Sequence, residues 1–317
     1  ATKLLYHSQF DISAPTTSTA PFDTTRHHQT KHTTIHKRKM LLFCFQFLLV
    51  CCMNSATNRA NSLSLYEPFV TASVARLLSS KTLNIYQSPT PISLSDRTIT
   101  NTYVKPVPST TSISLATYVS SSDSNKIRAR FAHLSTSPHS SDGVNVLNFV
   151  IYPNPTFDMP VFGADFVTLP GGKNLVLLDF QPLTASQRTN SGDYEIFAKA
   201  SKIRATYLSH FPWGGDLPPE ASKFFSDKAL IWTRCPGEEG RELIQTKVFD
   251  VFQEYLELYV SELEKRLDTS TNAQSNKDYE DGVNEYNSYR RANDPARPML
   301  KRLFGDEFTE SAIEHLF

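Results

Sequence analysis

Five apolar, β-branched runs follow one another at Ile113–Val119, Ile127–Leu134, Val144–Tyr152, Phe166–Leu169 and Asn174–Phe180. Most of the gaps between them are too short for the crossover that parallel strands need, so antiparallel pairing is the natural reading. Pro153-Asn154-Pro155 stops the third run, and Pro170-Gly171-Gly172-Lys173 is a tight-turn signal between the last two. Several runs are apolar at both parities, which predicts a sheet covered on both faces. Helical periodicity supplies the cover at Tyr66–Leu78, Tyr194–His210, Thr246–Leu267, Tyr279–Ala292, Arg297–Phe304 and Asp306–Phe317, the last with Asp306 as a possible N-cap. Asn84–Ser112, rich in Pro, Ser and Thr, reads as loop. The expected fold class is α+β: a single α/β/α sandwich with a central, mostly antiparallel sheet covered by helices on both faces.

Charge divides the 317 residues into two parts. Seven Lys/Arg and two acids, Asp11 and Asp23, precede Tyr66, so the body carries 25 basic and 30 acidic residues although the whole chain is neutral. A basic, acid-poor leader is a targeting pattern, and a mildly acidic body argues against nucleic-acid binding. Leu41–Cys52 (LLFCFQFLLVCC) is too short to span a bilayer and suits a signal-peptide core; Ser/Thr/Asn/Ala-rich sequence follows. The expected organisation is a leader over residues 1–65, signal-peptide-like at 40–56 and transit-like at 57–65, then one domain over 66–317. Such a bipartite leader predicts delivery to a plastid. A single retained apolar anchor is the alternative.

Three of the four cysteines lie in the leader, and Cys235 alone cannot build a disulfide or a Cys-rich metal or iron–sulfur site. The chain has no G-x-G-x-x-G, no G-x-x-x-x-G-K-[ST] and no G-x-S-x-G. His133, His139, His210 and His315 have no metal-ligand spacing. Any redox chemistry would then draw its electrons from outside.

Val146–Leu183 (VLNFVIYPNPTFDMPVFGADFVTLPGGKNLVLLDFQPL), Phe211–Gly215 (FPWGG), Leu230–Arg234 (LIWTR) and Tyr289–Leu300 (YRRANDPARPML) resemble, in order, the motifs of ferredoxin-dependent bilin reductases. The resemblance covers roughly Tyr66 to Phe317. The details VLNFVI, DFVTLP, GEEGRELIQ and DPARPML are most similar to members that reduce the A-ring diene of 15,16-dihydrobiliverdin. The resemblance implies an enzyme with no bound cofactor or metal, reduced ferredoxin as external electron donor, and phycoerythrobilin as product. It also implies a monomer with no membrane attachment of the mature domain, fed by a preceding bilin reductase and handing product to a phycobiliprotein lyase. Alternatives are a reductase acting on biliverdin, at the 15,16 bridge or the A-ring, and a non-catalytic bilin carrier.

Such chemistry needs acids beside an apolar pocket, because burial raises a carboxyl pKa and lets it deliver a proton near neutrality. Asp165, in FGAD, is the position that the family uses as the central aspartate; from the residues alone it is equally a turn cap beside Gly163. Asp294, in ANDP, matches the family's second proton source; alone it reads as a helix-ending Asp before Pro295. Arg290, one turn earlier, is a candidate for a bilin propionate, or a solvated helix face. Arg234 is a weaker candidate for the same role. Asn148 shares a strand face with Val146, Val150 and Tyr152, so it needs a partner or a pocket. The family's phycocyanobilin-forming members carry His at that position and Glu near His133. Asp179 reads as structural. Arg290, Arg291, Arg297, Lys301 and Arg302 form a basic cluster that could attract an acidic ferredoxin.

Overall fold

The computed structural model describes residues 64–89, 97–101, 109–121, 126–136, 143–189, 191–269 and 277–317; the leader up to residue 63 lies outside them. Eight strands form one antiparallel sheet: β1 (Ile85–Ser88), β2 (Arg97–Asn101), β3 (Ser109–Ser120), β4 (Arg128–Thr136), β5 (Asn145–Tyr152), β6 (Val161–Leu169), β7 (Lys173–Gln181) and β8 (Ile231–Pro236). Their order is β1-β3-β4-β5-β6-β7-β8, and β2 pairs with the first half of β3 while β1 pairs with its end. The helices among the described residues are α1 (Glu67–Ser79), α2 (Ala185–Thr189), α3 (Glu195–Tyr207), α4 (Pro219–Ser222), α5 (Gly237–Leu243), α6 (Phe249–Thr269), α7 (Lys277–Asn293), α8 (Arg297–Phe304) and α9 (Asp306–Leu316), with α2, α3 and α4 between β7 and β8.

Side-chain alternation sorts the strands into two cores, as the period of two requires. Phe131, Leu147, Phe149, Phe162, Ala164, Phe166, Leu178 and Phe180 pack with α1, α3 and α6. Leu115, Ala132, Leu134, Val150, Tyr152 and Val161 pack with α7, α8 and α9. In the first core Phe131 and Phe149 stack at 4.1 Å, a geometry worth roughly 0.5–1.5 kcal/mol beyond burial. Tyr259 of α6 is fully buried there, and its hydroxyl donates to Pro160 O at 2.7 Å.

The structure departs from the expected elements in four places. The stretch read as loop, Asn84–Ser112, contains the edge strands β1 and β2 and the start of β3, segments rich in polar residues that carry no clear alternation. Strand β6 begins at Val161, not Phe166. Gly163 sits inside it because a Cβ there would lie 2.7 Å from Gln181 Oε1, so the neighbouring side chain occupies that space. The helix expected from Thr246 is preceded by α5 and a π-turn over Ile244–Val248, so helical backbone starts at Gly237. Asp306 is not an N-cap: Gly305 (φ 87°) takes that position, and Asp306 accepts from Lys301 at 3.0 Å.

His133 belongs to the α1 face. Its Nε2 lies 2.7 Å from Ser64 Oγ and its Nδ1 3.5 Å from Glu67 Oε2. Burial lowers its pKa from 6.5 to about 4. The unfolded chain therefore binds the proton more readily between those values, so the contribution is fully present above pH 6.5 and is lost as pH falls towards 4. The loss amounts to at most ~3 kcal/mol, and Glu67 offsets part of it. The urea midpoint should fall from pH 7 to pH 4.5, and less steeply in His133→Gln; parallel curves for the two proteins would remove this role.

Candidate active site

On the α7 face, strand register builds a polar row into an apolar floor. Ala132 faces Asn148, Asn148 faces Asp165, Asp165 faces Leu177, and Leu177 faces Trp232. The next row of the same parity holds Val146, Val167, Leu175 and Arg234. Above Asp165, Val167, Leu175, Leu177 and Trp232 opens an apolar pocket, with about 800 Å³ of open space when the solvent at its mouth is included. One wall is Leu217, Pro218, Ala221 and Phe225; the other is the end of α7 with Tyr289, Arg290, Asn293, Asp294 and Pro295.

Asp165 thus lies mid-strand and is not a turn cap, which sets aside that reading of FGAD. Arg290 reaches down from α7, and its Nη2 donates to Asp165 Oδ2 at 3.4 Å. It is not on a solvated face: its side chain keeps 15% of its exposure. Burial works against the Arg290 charge, but Tyr286, Asp165, Asp294 and Tyr152 together raise its pKa.

Asp294 shapes the turn after α7 and also lines the pocket. Its Oδ1 accepts the Ala296 N–H at 2.7 Å, which shapes the turn after α7. Its carboxyl also borders the pocket. Burial raises its pKa, with Arg290 and the Ala296 N–H opposing and Asp165 reinforcing. A raised carboxyl pKa in a cleft is what a proton donor needs.

The other candidates are not among the residues that line the pocket. Asn148 is buried beside Asp165, one strand away, and its Oδ1 has no hydrogen-bond partner among the described residues. Arg234 sits on β8 next to the floor. Its guanidinium lies 5.5 Å from the Trp232 ring centroid, and its Nε is buried with no hydrogen-bond partner among the described residues. His133 faces the opposite side of the sheet, and Ala132 takes its place in the Asn148–Asp165 row. Asp179 is fully buried and accepts the Ser226 N–H at 2.8 Å, consistent with a structural role. Burial raises its pKa well above the usual carboxyl value.

The basic cluster does not stay together as an attractive surface. Arg290 is inside the pocket, Arg297 pairs with Glu310, and Lys301 pairs with Asp306 and Glu310. These partners come from α9, close in space but up to thirteen residues away in sequence. Trp232, Phe225 and Tyr289 were not singled out from the sequence, although FPWGG, LIWTR and YRRANDP mark the segments that carry or flank them. Tyr286 was also missed; its hydroxyl donates to Gln181 Oε1 at 2.6 Å below Arg290.

Residues 102–317 match the family model described as ferredoxin-dependent bilin reductase. The phycoerythrobilin:ferredoxin oxidoreductase of Nostoc punctiforme is 35% identical over 253 residues, 80% of this chain and 92% of that protein. The protein of the same name from Prochlorococcus marinus is 41% identical over 177 residues, 56% of this chain and 68% of its own. The crystal structure of a tomato phytochromobilin synthase in complex with biliverdin superposes with a TM-score of 0.59 at 22% identity, covering 78% of this chain and 80% of the other. That likeness concerns the fold.

Proposed function

Because this chain belongs to the ferredoxin-dependent bilin reductases, we propose that it reduces the A-ring diene of 15,16-dihydrobiliverdin to give phycoerythrobilin. The observation that carries the reading is the pairing of two carboxyls, Asp165 on the floor and Asp294 on the wall, at one apolar pocket. Two electrons arrive singly from reduced ferredoxin, and two protons complete the addition across the diene. Asp165 relays a proton from solvent to the bilin early, which makes it easier to reduce, and returns to the carboxylate that faces Arg290. Asp294, whose pKa is raised by burial, serves the A-ring later. Arg290 holds a propionate by a charge-assisted bond, and the apolar floor around Trp232 receives the conjugated rings. Asn148 is available to a ring lactam beside Asp165, and Arg234 to a second carboxylate at the rim.

In this reading residues 1–65 carry the domain to a plastid, where reduced ferredoxin is available. A preceding bilin reductase supplies the substrate, and a phycobiliprotein lyase receives the product. Within the C-terminal basic cluster Arg290 faces the pocket and Arg297 and Lys301 pair with acids of α9, which leaves Arg291 and Arg302 as the members to meet an acidic ferredoxin.

The test is anaerobic incubation of the full chain with reduced ferredoxin and each candidate bilin, followed by chromatography of the products. 15,16-Dihydrobiliverdin should bind with a strong change in visible absorption and be converted to phycoerythrobilin. Turnover of biliverdin with no turnover of dihydrobiliverdin would move the reaction to the other branch of the family. Binding of either bilin without turnover would mark a carrier.

A further inference from the structure

We propose that Phe317 is a positioning residue for substrate: its ring holds the Arg290 guanidinium in the orientation that receives a bilin carboxylate. The inference rests on the reading of Arg290 as the propionate anchor and assigns that anchor its support.

Arg290 needs such support. Its flexible side chain presents five donors in a planar fork, yet one bond at 3.4 Å to Asp165 joins it to a carboxylate. A single long hydrogen bond leaves the plane of the fork free to turn. The second contact is with Phe317, whose ring centroid lies 4.6 Å from the guanidinium carbon, inside the range of a cation–π contact. A ring against the guanidinium fixes its plane while leaving the in-plane N–H groups to ligands.

The ring itself is held. Phe317 is 1% exposed, and its N–H donates to Ile313 O at 3.1 Å. The preceding residue, Leu316, accepts from Arg130 Nη1 at 2.9 Å. His315 Nε2 lies 2.9 Å from Thr117 Oγ1. The end of α9 is therefore tied to β3 and β4, and it delivers the Phe317 ring to a charge that belongs to α7. Core packing alone would need an apolar side chain here, but not an aromatic one.

The experiment uses the full chain and two probes, 15,16-dihydrobiliverdin and its dimethyl ester, titrated by visible absorption. The wild type should prefer the diacid. Phe317→Leu keeps the apolar bulk and removes the ring; it should lose roughly three- to tenfold of that preference, with binding of the ester unchanged. Phe317→Met repeats the test should the Leu variant fold poorly, and Phe317→Tyr should keep the wild-type ratio. Equal weakening of diacid and ester in both Leu and Met variants, or no change in either, overturns the role. A wild type that binds both probes equally overturns it at the Arg290 step and leaves the proposed reaction standing. A wild type that binds neither probe overturns the proposed reaction itself.

Discussion

Asp294→Asn is expected to bind 15,16-dihydrobiliverdin with wild-type affinity and to lose on the order of 10²–10⁴ in kcat, the usual cost of removing a positioned acid. The substitution is clean because Asn can still accept the Ala296 N–H that Asp294 Oδ1 takes at 2.7 Å, so the turn after α7 keeps its shape. What disappears is the exchangeable proton. Electrons can still arrive, so the variant should accumulate a radical or partly reduced bilin visible by electron paramagnetic resonance. Asp165→Asn should behave differently. It removes the carboxylate facing Arg290 at 3.4 Å, so binding should change together with rate, and the block should come before the radical. The discriminating measurement is single-turnover kinetics with affinity determined separately. If Asp294→Asn forms phycoerythrobilin at the wild-type rate, Asp294 only ends a helix, and the second proton has another source.

The sheet and its two covers were legible because each central strand carries its own evidence. In β5, Leu147, Phe149 and Ile151 face one core while Val150 and Tyr152 face the other, and a two-sided apolar run has few other uses. The edge strands β1 and β2 were not legible, since a strand paired through β3 alone needs no apolar stripe. The carboxyls could be named from the ordered motifs, but their environment could not. Asp165 and Arg290 are 125 residues apart in sequence, and only the crossing of α7 over β6 makes them partners. The same reason hid the fate of the basic cluster. Arg297 and Lys301 look free along the chain, and the fold of α9 back onto α8 supplies Glu310 to both. Register explains Ala132 and His133 as well: adjacent residues on one strand point to opposite cores, so being near a position in sequence says little about which face is served.

Gly282→Ala should destabilise the protein and impair bilin binding together, against the helix-propensity expectation. In an exposed helix interior, Gly→Ala stabilises by roughly 0.5–1 kcal/mol. Gly282 is in the interior of α7, but it lies against the loop after β7: an added Cβ would stand 2.5 Å from Leu183 O and 2.9 Å from Leu183 C. Both are backbone atoms, so no rotamer change relieves the contact, and α7 must lift off the sheet. Leu183 is itself held, since its N–H donates to Gln187 Oε1 and its O accepts from Arg188 Nη2, each at 2.8 Å. Overpacking of this kind costs about 1–3 kcal/mol or more. Because α7 carries Tyr286, Tyr289 and Arg290, and Asp294 follows its end, a displacement at Gly282 is transmitted to the pocket wall by a rigid helix. Urea unfolding and a dihydrobiliverdin titration should therefore both shift for Gly282→Ala. Gly192→Ala, where an added Cβ meets nothing within 4 Å, is the control and should shift neither. A Gly282→Ala protein with an unchanged or higher urea midpoint would mean that α7 and the β7 loop can separate without cost, and that the pocket wall is looser than this packing implies.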